Sequence, residues 1–272
     1  MSGTDLPRIT VVTPSFNQAR YLERTICSVL EQGYADLEYM VLDAGSTDGS
    51  REIIERYAER IDYWRSAPDG GQSAAINEGW RRSRGQVLSW LNSDDYYLPG
   101  ALQFVGEFFR DHPDEWVVYG SWEAVDDEGR RLNYAGSRFS RRTMILSRNT
   151  IPQPSSFIHR RAIDAVGLLD ERLRYTMDLD LFLRIADHRA PRFVSRPLAA
   201  ATMHSDAKTF SQRDAMARER YEVRRRHARG AEVPLVILQP LQSRAFHALP
   251  PFARRAINAV RPRRKFARPT PE

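Results

Sequence analysis

The feature that most constrains this fold is a regular alternation of short apolar runs with amphipathic helical patterns. Four runs have the nearly continuous apolar character of strands covered on both faces: residues 9–13, 39–42, 87–91 and 116–119. Between them, apolar residues recur at spacings of three and four, beginning at Tyr21 and at Ile53. Strands that alternate with helices predict an α/β fold with a mostly parallel central sheet flanked by helices.

Each of the first three predicted strands is followed by a polar cluster. These clusters are residues 13–18, 43–50 and 92–95. The carboxyl ends of parallel strands meet at one edge of a sheet, and α/β folds bind their ligands there. We therefore expect the three clusters to form a single site.

Composition narrows the class of partner. Residues 213–272 hold 15 Lys and Arg against 5 Asp and Glu, whereas residues 1–212 hold 26 against 30. The predicted cleft is thus mildly acidic and would repel phosphates without a cation, so we expect no nucleic-acid partner. Cys27 is the only cysteine, and neither a secretory signal nor a membrane-spanning apolar run is evident, so we expect a cytoplasmic protein.

Asp94 and Asp95 directly follow a predicted buried strand. Two adjacent carboxylates in such a place repel each other unless a cation lies with them. Oxygen ligands suit Mn²⁺ or Mg²⁺, and these ions usually complete their shell with substrate phosphates. Taken alone, the pair fits a solvated capping turn equally well. His204 is a candidate late metal ligand or phosphate contact, although a lone histidine is more often structural.

The other two loops offer candidate donor contacts. Asp43 ends a strand, where a carboxylate accepts hydrogen bonds from a base or a ribose, whereas Asp48 fits a helix cap. The Gly-rich loop of residues 69–72 lets backbone approach a ligand, and it matches neither a P-loop nor a dinucleotide fingerprint. We expect Ser73 to cap the helix that follows.

The second half of the chain carries a candidate general base. A helical pattern covers residues 178–187, so Asp178 lies at or near the helix start. Asp180 is the alternative, since residues two apart on a helix do not face the same way. A second, very basic helical pattern covers residues 212–229.

Taken in order, these elements resemble the family-2 glycosyltransferases of the GT-A fold over about residues 8–210. The resemblance is carried by residues 9–18, 41–50, 68–72 with 75–79, 90–95, 153–157 with 167–170, and 176–184. The segment with the base usually reads Glu-Asp in this family, and here Met177 precedes Asp178.

The resemblance implies an inverting transferase that moves a sugar from a nucleotide-diphosphate sugar, with UDP as the default nucleotide, onto an acceptor hydroxyl. Asp178 would deprotonate the acceptor, which is a glycan, a lipid-linked glycan or a protein in cell-surface glycan biosynthesis. Asp95 would hold Mn²⁺ or Mg²⁺ on the diphosphate, and His204 is the further candidate ligand that the residues themselves suggest. The implied donor contacts are Pro14, Asn17, Asp43, Asp69 and Asn77, with Asp94 at the sugar-ribose side.

The implied domain organisation is a GT-A domain at residues 1–212, with a nucleotide-sugar half at about 8–120 and an acceptor half at 121–212. Residues 213–272 would form a basic helical extension with a disordered tail. This extension suits peripheral attachment to the inner face of the plasma membrane, or it is merely solubilising or makes contacts in an oligomer. Two other functions stay open: an inactive nucleotide-sugar binder, and a glycoside hydrolase, which needs two separated carboxyl groups.

Overall fold

The computed structural model describes residues 6–204 and 212–239. The strands are β1 (Ile9–Ser15), β2 (Leu37–Asp43), β3 (Tyr63–Ser66), β4 (Val87–Trp90), β5 (Asp95–Tyr97), β6 (Val117–Val125), β7 (Arg131–Ala135), β8 (Ser156–His159) and β9 (Arg192–Thr202). The helices are α1 (Ala19–Leu30), α2 (Ser50–Arg56), α3 (Gln72–Arg82), α4 (Ala101–Asp111), α5 (Arg141–Leu146), α6 (Arg160–Val166), α7 (Met177–Ala186), α8 (Arg213–His227) and α9 (Glu232–Ile237).

The strands form one mixed sheet in the order β3-β2-β1-β4-β8-β6-β9-β5, with β7 paired to β6. β1, β2, β3 and β4 are parallel, as expected for alternating strands and helices. β8 is antiparallel to both β4 and β6, so it joins the parallel part to the strands of the second half. The predicted α/β class is confirmed, and the parallel character is strongest in the first half.

Both faces of the sheet are covered, which explains the continuous apolar runs. Successive residues of β1 point to opposite faces, so Val11 and Val12 enter different cores, and neither is exposed. Val11 packs in the core that contains Ile26 of α1 and Leu102 of α4. Val12 packs in the core that contains Phe182 of α7.

The start of α3 differs from the prediction. α3 begins at Gln72, after Gly71 in the left-handed region at φ 104°, so Ser73 lies inside the helix rather than at its cap. The Ser73 hydroxyl donates instead to the carbonyl of Leu173, at 3.1 Å. The expectation that Ser73 caps α3 was wrong, because glycine supplies the turn and the serine joins α3 to the second half.

The basic helical pattern near the end of the chain is α8, and it packs against the rest of the molecule. Val223 is completely buried, and the Arg224 guanidinium donates to the carbonyl of Met144 in α5 at 3.0 Å. Arg141 pairs with Glu232 of α9 at 2.7 Å. The predicted tail beyond Gln239 lies outside the described residues. Of the helices in the described ranges, none combines the length and apolar character needed to cross a bilayer.

Candidate active site

Three loops meet at the carboxyl edge of the parallel strands. Ser15, Asp43 and Ser66 lie side by side at the ends of β1, β2 and β3. Asn17 links the first two loops, because its amide oxygen accepts from the Thr47 N–H at 3.0 Å. Asn17 has φ 51°, in the left-handed region that asparagine tolerates better than most residues. The first two predicted polar clusters are therefore in contact, and the third, residues 92–95, follows β4, which lies parallel to β1 on its other side.

Among the predicted donor contacts of this edge, only Asn17 is exposed. Pro14 is a buried residue of β1, opposite Leu42. Asp43 has no exposed surface, and its carboxylate accepts from the Ser46 N–H at 2.9 Å and from the Ser66 hydroxyl at 2.6 Å. This geometry favours a positioning role for Asp43 over direct contact with a donor.

Asp48 caps two helices. Its carboxylate accepts from the Ala19 N–H of α1 at 2.9 Å and from the Ser50 N–H of α2 at 3.1 Å. Partial burial acts in the opposite direction, but these hydrogen bonds lower the pKa of Asp48. Gly49 occupies the cap position of α2, so Asp48, one residue earlier, serves both helix starts through these hydrogen bonds.

Asp69 and Asn77 are both engaged within the protein. The Asp69 carboxylate accepts from the Gly71 N–H at 2.7 Å and pairs with Arg65 at 3.2 Å. The Asn77 amide donates to the Leu169 carbonyl at 2.9 Å and accepts from the Leu169 N–H at 3.0 Å. Asn77 is 1% exposed, so it joins α3 to the second half instead of facing a cleft.

The acidic pair follows β4 in the chain, and Asp95 lies opposite Ala201 of β9. The carboxylate of Asp94 lies 3.0 Å from Nε2 of His204, whose ring packs against Tyr21 at a centroid distance of 4.7 Å. Asp95 is the first residue of β5 and is buried. Burial and the neighbouring Asp94 carboxylate raise the pKa of Asp95 well above its usual range. The structure therefore pairs His204 with Asp94, whereas the sequence analysis grouped it with Asp95.

A hydrogen-bonded network of neighbouring side chains fixes the loop that carries this pair. The Asn92 amide donates to Asp95 at 3.2 Å and to Gln153 at 3.1 Å, and its oxygen accepts from Gln72 at 2.8 Å. The Thr25 hydroxyl of α1 makes contacts of 2.9 Å and 2.7 Å with the carbonyls of Ser93 and Asp95. The sequence reasoning did not select Thr25, Gln72 or Gln153 individually. Gln72 and Gln153 lie in segments that the family resemblance had marked.

The two candidate bases of α7 have different environments. Asp178 is half-buried, and its carboxylate accepts from the Asn149 amide at 2.8 Å. Desolvation raises the pKa of Asp178, although hydrogen bonds and the charge of Arg220 act against this. Asp180 is 3% exposed and is bonded to Arg184 and His227, each at 2.9 Å. Asp180 is therefore held in a structural ion-pair cluster.

A cavity of about 280 Å³ lies between the start of α3 and the segment that leads into α7. Its lining includes Gly71, Gln72, Arg174, Tyr175 and Met177. Because Gln72 also bonds Asn92, the cavity adjoins the network under the acidic pair. The cavity, the acidic loop and the helix that carries Asp178 are thus connected through short contacts.

Phe16 is a further candidate that the sequence reasoning left without a role. Its side chain is 59% exposed at the end of β1, next to Asn17. A large aromatic ring in such a place offers a face on which a planar base can stack. The signal was present in the sequence, since an aromatic residue stands inside a polar loop after a strand.

The sequence profile described as glycosyl transferase family 2 matches residues 10–165, more than half of the chain. The chain belongs to this family. It is therefore a glycosyltransferase, as the order of motifs had indicated. An uncharacterized glycosyltransferase of Rickettsia typhi is 29% identical to it over 218 residues, which are 76% of this chain and 67% of that protein. Other glycosyltransferases of Rickettsia are longer, and this chain spans about a third of their length.

Two solved structures resemble this glycosyltransferase in fold. Residues 1–349 of S. aureus TarS, in complex with UDP-GlcNAc, give a TM-score of 0.62 at 19% identity and cover 85% of this chain and 67% of that one. The mannosyltransferase PcManGT of Pyrobaculum calidifontis, in complex with GDP-Man and Mn²⁺, gives 0.63 at 17% identity, with coverage of 94% and 81%. At these identities the likeness shows the fold alone, and the predicted GT-A fold is confirmed.

Proposed function

We propose that this glycosyltransferase moves a sugar from a UDP-sugar to an acceptor hydroxyl by a metal-assisted, inverting displacement. The observation that carries the proposal is the pairing of Asp94 with His204 at 3.0 Å, beside the buried Asp95. Membership of family 2 supports it, as do the nucleotide sugars bound in the two structural neighbours. UDP is the first donor nucleotide to test and GDP the second.

Asp94 and His204 fit a divalent cation. Two ligands that each lie about 2.1 Å from one ion at adjacent octahedral corners are about 3 Å apart, as these two side chains are. Carboxylate and imidazole together suit Mn²⁺ better than Mg²⁺. No group of three or more His, Cys, Asp or Glu that could hold a metal occurs in the described ranges. Two protein ligands leave positions for the donor diphosphate, as is usual for such ions.

We therefore move the proposed ligand role from Asp95 to Asp94. Asp94 keeps 22% of its side chain exposed, whereas Asp95 lies behind it with its carboxylate bonded to Asn92. When bound, the cation would stabilise charge on the departing diphosphate as a Lewis acid. Asp95 would add negative charge behind the ligands, and a cation would in turn lower the pKa that burial raises.

The donor nucleotide would lie over the edge formed by β1, β2 and β3. Phe16 would stack on the base, and the exposed Asn17 would bond the nucleoside. Asp43 and Asp69 would fix the loops that follow β2 and β3, because each accepts a hydrogen bond from a backbone N–H of its own loop. Pro14 would help to shape the donor site because it lies in β1, just before the loop that carries Asn17. Asn77 would act indirectly, since its hydrogen bond to Leu169 fixes α3 against the second half of the chain.

Asp178 would act as the general base. Its half-buried carboxylate is held by Asn149, and a raised pKa makes it a stronger proton acceptor from a hydroxyl. Asp180 is committed to Arg184 and His227, which favours Asp178 over it. The attacking hydroxyl would displace the nucleotide directly, which inverts the anomeric carbon.

In the cell we place this reaction in cell-surface glycan biosynthesis, on the cytoplasmic side of the membrane. The charge distribution supports a peripheral contact, since residues 213–272 carry three times as many basic as acidic residues. Flotation with anionic liposomes tests this contact. Equal flotation of the full chain and a chain ending at Gln239 would remove the tail from the proposal.

The decisive experiment is a calorimetric and hydrolysis screen of UDP-, GDP- and dTDP-sugars with Mn²⁺. Asp94→Asn should weaken Mn²⁺-dependent nucleotide binding by at least tenfold, because it removes the charged carboxylate and leaves the imidazole of His204 as the remaining proposed ligand. Asp95→Asn should weaken it less, and Asp111→Asn at the exposed end of α4 should not change it. A larger loss in Asp95→Asn than in Asp94→Asn would return the ligand role to Asp95. Absence of any binding across the panel would reject the proposed function.

A further inference from the structure

The helix that carries Asp178 begins without a cap from its own chain segment. Thr176 occupies the cap position of α7, yet its side chain accepts no hydrogen bond from the first turn of the helix. The Thr176 hydroxyl points the other way and donates to Glu219 of α8, at 2.8 Å. A helix start usually needs an acceptor for its free N–H groups and a negative charge nearby. Asp178 and Asp180 place negative charge in the first turn of α7 itself, and Glu219 of α8 adds a carboxylate at the residues just before it.

Glu219 binds the whole segment that leads into α7. One oxygen, Oε1, accepts from the N–H groups of Tyr175 and Thr176 at 2.8 Å and 2.7 Å. The other oxygen, Oε2, accepts from the Arg174 N–H at 2.9 Å. Four donors therefore converge on one carboxylate, and three of them are backbone groups. Hydrogen bonds to a charged acceptor are stronger than neutral ones, so this segment is firmly held.

We propose that Glu219 is a positioning residue for the transfer reaction, fixing the first turn of α7 and the cavity wall beside it. The segment it holds includes Arg174 and Tyr175, which line the 280 Å³ cavity, and it ends two residues before Asp178. Holding that backbone fixes where the Asp178 carboxylate points relative to a bound hydroxyl. This inference rests on the proposed function, because it takes Asp178 as the base.

The attachment of α8 to the molecule does not depend on Glu219. Val223 is completely buried, Arg224 bonds the carbonyl of Met144, and His227 bonds Asp180 at 2.9 Å. These contacts lie one or more turns further along α8. Loss of the Glu219 carboxylate therefore releases the segment before α7 while α8 stays in place. A positioning role for Glu219 therefore predicts a loss of kcat without loss of the fold, whereas a general role in stability predicts that UDP affinity and kcat fall together.

The test compares Glu219→Ala, Glu219→Gln and a matched control, Glu222→Ala. Glu222 lies on the same helix and accepts hydrogen bonds from Arg225 at the surface. Three quantities are measured: the Kd of UDP with Mn²⁺, the kcat for hydrolysis of UDP-GlcNAc and GDP-mannose with water as acceptor, and amide exchange of the peptide covering residues 173–181. Hydrolysis uses the same base as transfer but needs no knowledge of the natural acceptor.

Glu219→Ala should lower the hydrolysis kcat by about 10- to 100-fold, the effect of a displacement of about 1 Å at a reacting group. The Kd of UDP should stay within about twofold, because the donor edge is formed by β1, β2 and β3. Exchange of residues 173–181 should become faster. Glu219→Gln should retain most activity, since an amide oxygen in the Oε1 place keeps three of the four contacts. Glu222→Ala should behave as the unmodified protein.

Two results would overturn the positioning role: an unchanged kcat in Glu219→Ala, or an equal loss of UDP affinity and kcat. If the unmodified protein hydrolyses neither donor, that result counts against the proposed function. Amide exchange then still tests whether Glu219 holds residues 174–176. Faster exchange confined to residues 173–181 supports the hold of Glu219 on this segment. Unchanged exchange rejects it.

Discussion

At the scale of single residues, the carboxylates of this site divide into two groups that the sequence does not separate. The carboxylates of Asp43, Asp69 and Asp180 are largely buried and each accepts several hydrogen bonds from the protein. Asp94 pairs with His204 and Asp178 with Asn149, and both residues keep some exposed surface. Which oxygen meets a ligand depends on partners such as Ser66 and His227, which lie 23 and 47 residues away in the chain. No local pattern encodes such partners.

Phe16→Ala should weaken binding of UDP with Mn²⁺ by about 5- to 150-fold, the usual range for loss of one base-stacking ring. The ring is 59% exposed, so the free energy of unfolding should change little. Calorimetry gives the affinity and urea unfolding gives the stability. Phe16→Tyr is the matched control and should bind as the unmodified protein. Equal affinity in the alanine variant would exclude stacking on Phe16.

Arg220→Gln should move the acidic limb of the pH–rate profile to higher pH. Asp178 must be ionised to accept a proton, so the rate rises with pH as it titrates, and the nearby Arg220 charge favours ionisation. Removing that charge raises the pKa of Asp178 further, because the ionised carboxylate loses a favourable neighbour. Measuring kcat/KM for donor hydrolysis between pH 4 and about 8 shows the shift.

Arg225→Gln, an exposed residue paired with Glu222, is the control for a change in overall charge. Asp178→Asn should remove both the activity and the acidic limb. A profile that Arg220→Gln leaves in place would assign the acidic limb to another group.

At the scale of elements, continuous apolar runs located the strands that are buried on both faces. Apolar spacings of three and four located the helices that are buried on one face. β1, β2, β4, α1 and α7 lie where the sequence predicted them. The predicted helical pattern after Ile53 continues to Ile61, but α2 ends at Arg56 and a short 3-10 turn follows at Ala58–Arg60. The three-residue β5 has too few residues to show a period, and its place beside β9 is set by contacts made far along the chain.

Asp48→Ala should destabilise the protein by about 1–2 kcal/mol, because one carboxylate caps both α1 and α2. Urea unfolding measures this loss. Asp48→Asn should cost less, since its amide oxygen still accepts one of the two bonds. Asp111→Ala, an exposed pair with Arg110, is the control and should stay near the unmodified value. A change below about 0.3 kcal/mol in Asp48→Ala would contradict the double cap.

At the scale of the whole molecule, α8 and α9 extend the packed body beyond the region that the family profile matches. The charge count predicted a basic helix here, and α8 is one. The same count gave no sign that Val223 is buried or that Glu219 reaches α7, because a mostly polar helix shows only a narrow apolar side. The predicted boundary at residue 212 thus separates elements that are in contact.

A chain that ends at Gln239 should unfold within about 2 °C of the full chain and keep donor hydrolysis, because residues 213–239 supply the described contacts of α8. A chain that ends at Gln212 should lose at least about 10 °C, since it exposes the core that Val223 covers. Calorimetric melting with an activity assay measures both. Val223→Asp in the full chain is an independent check and should mimic the shorter truncation. A stable, active 1–212 chain would make α8 dispensable.

The position of β9 has a consequence for synthesis on the ribosome. β9 runs between β6 and β5 and delivers His204 to Asp94, 110 residues earlier in the chain. A nascent chain that has exposed only the region before β9 already has the loops of β1, β2 and β3, yet it lacks half of the proposed ligand pair. With the proposed ligand pair, metal-dependent donor binding would become possible only after β9 and His204 have left the ribosome.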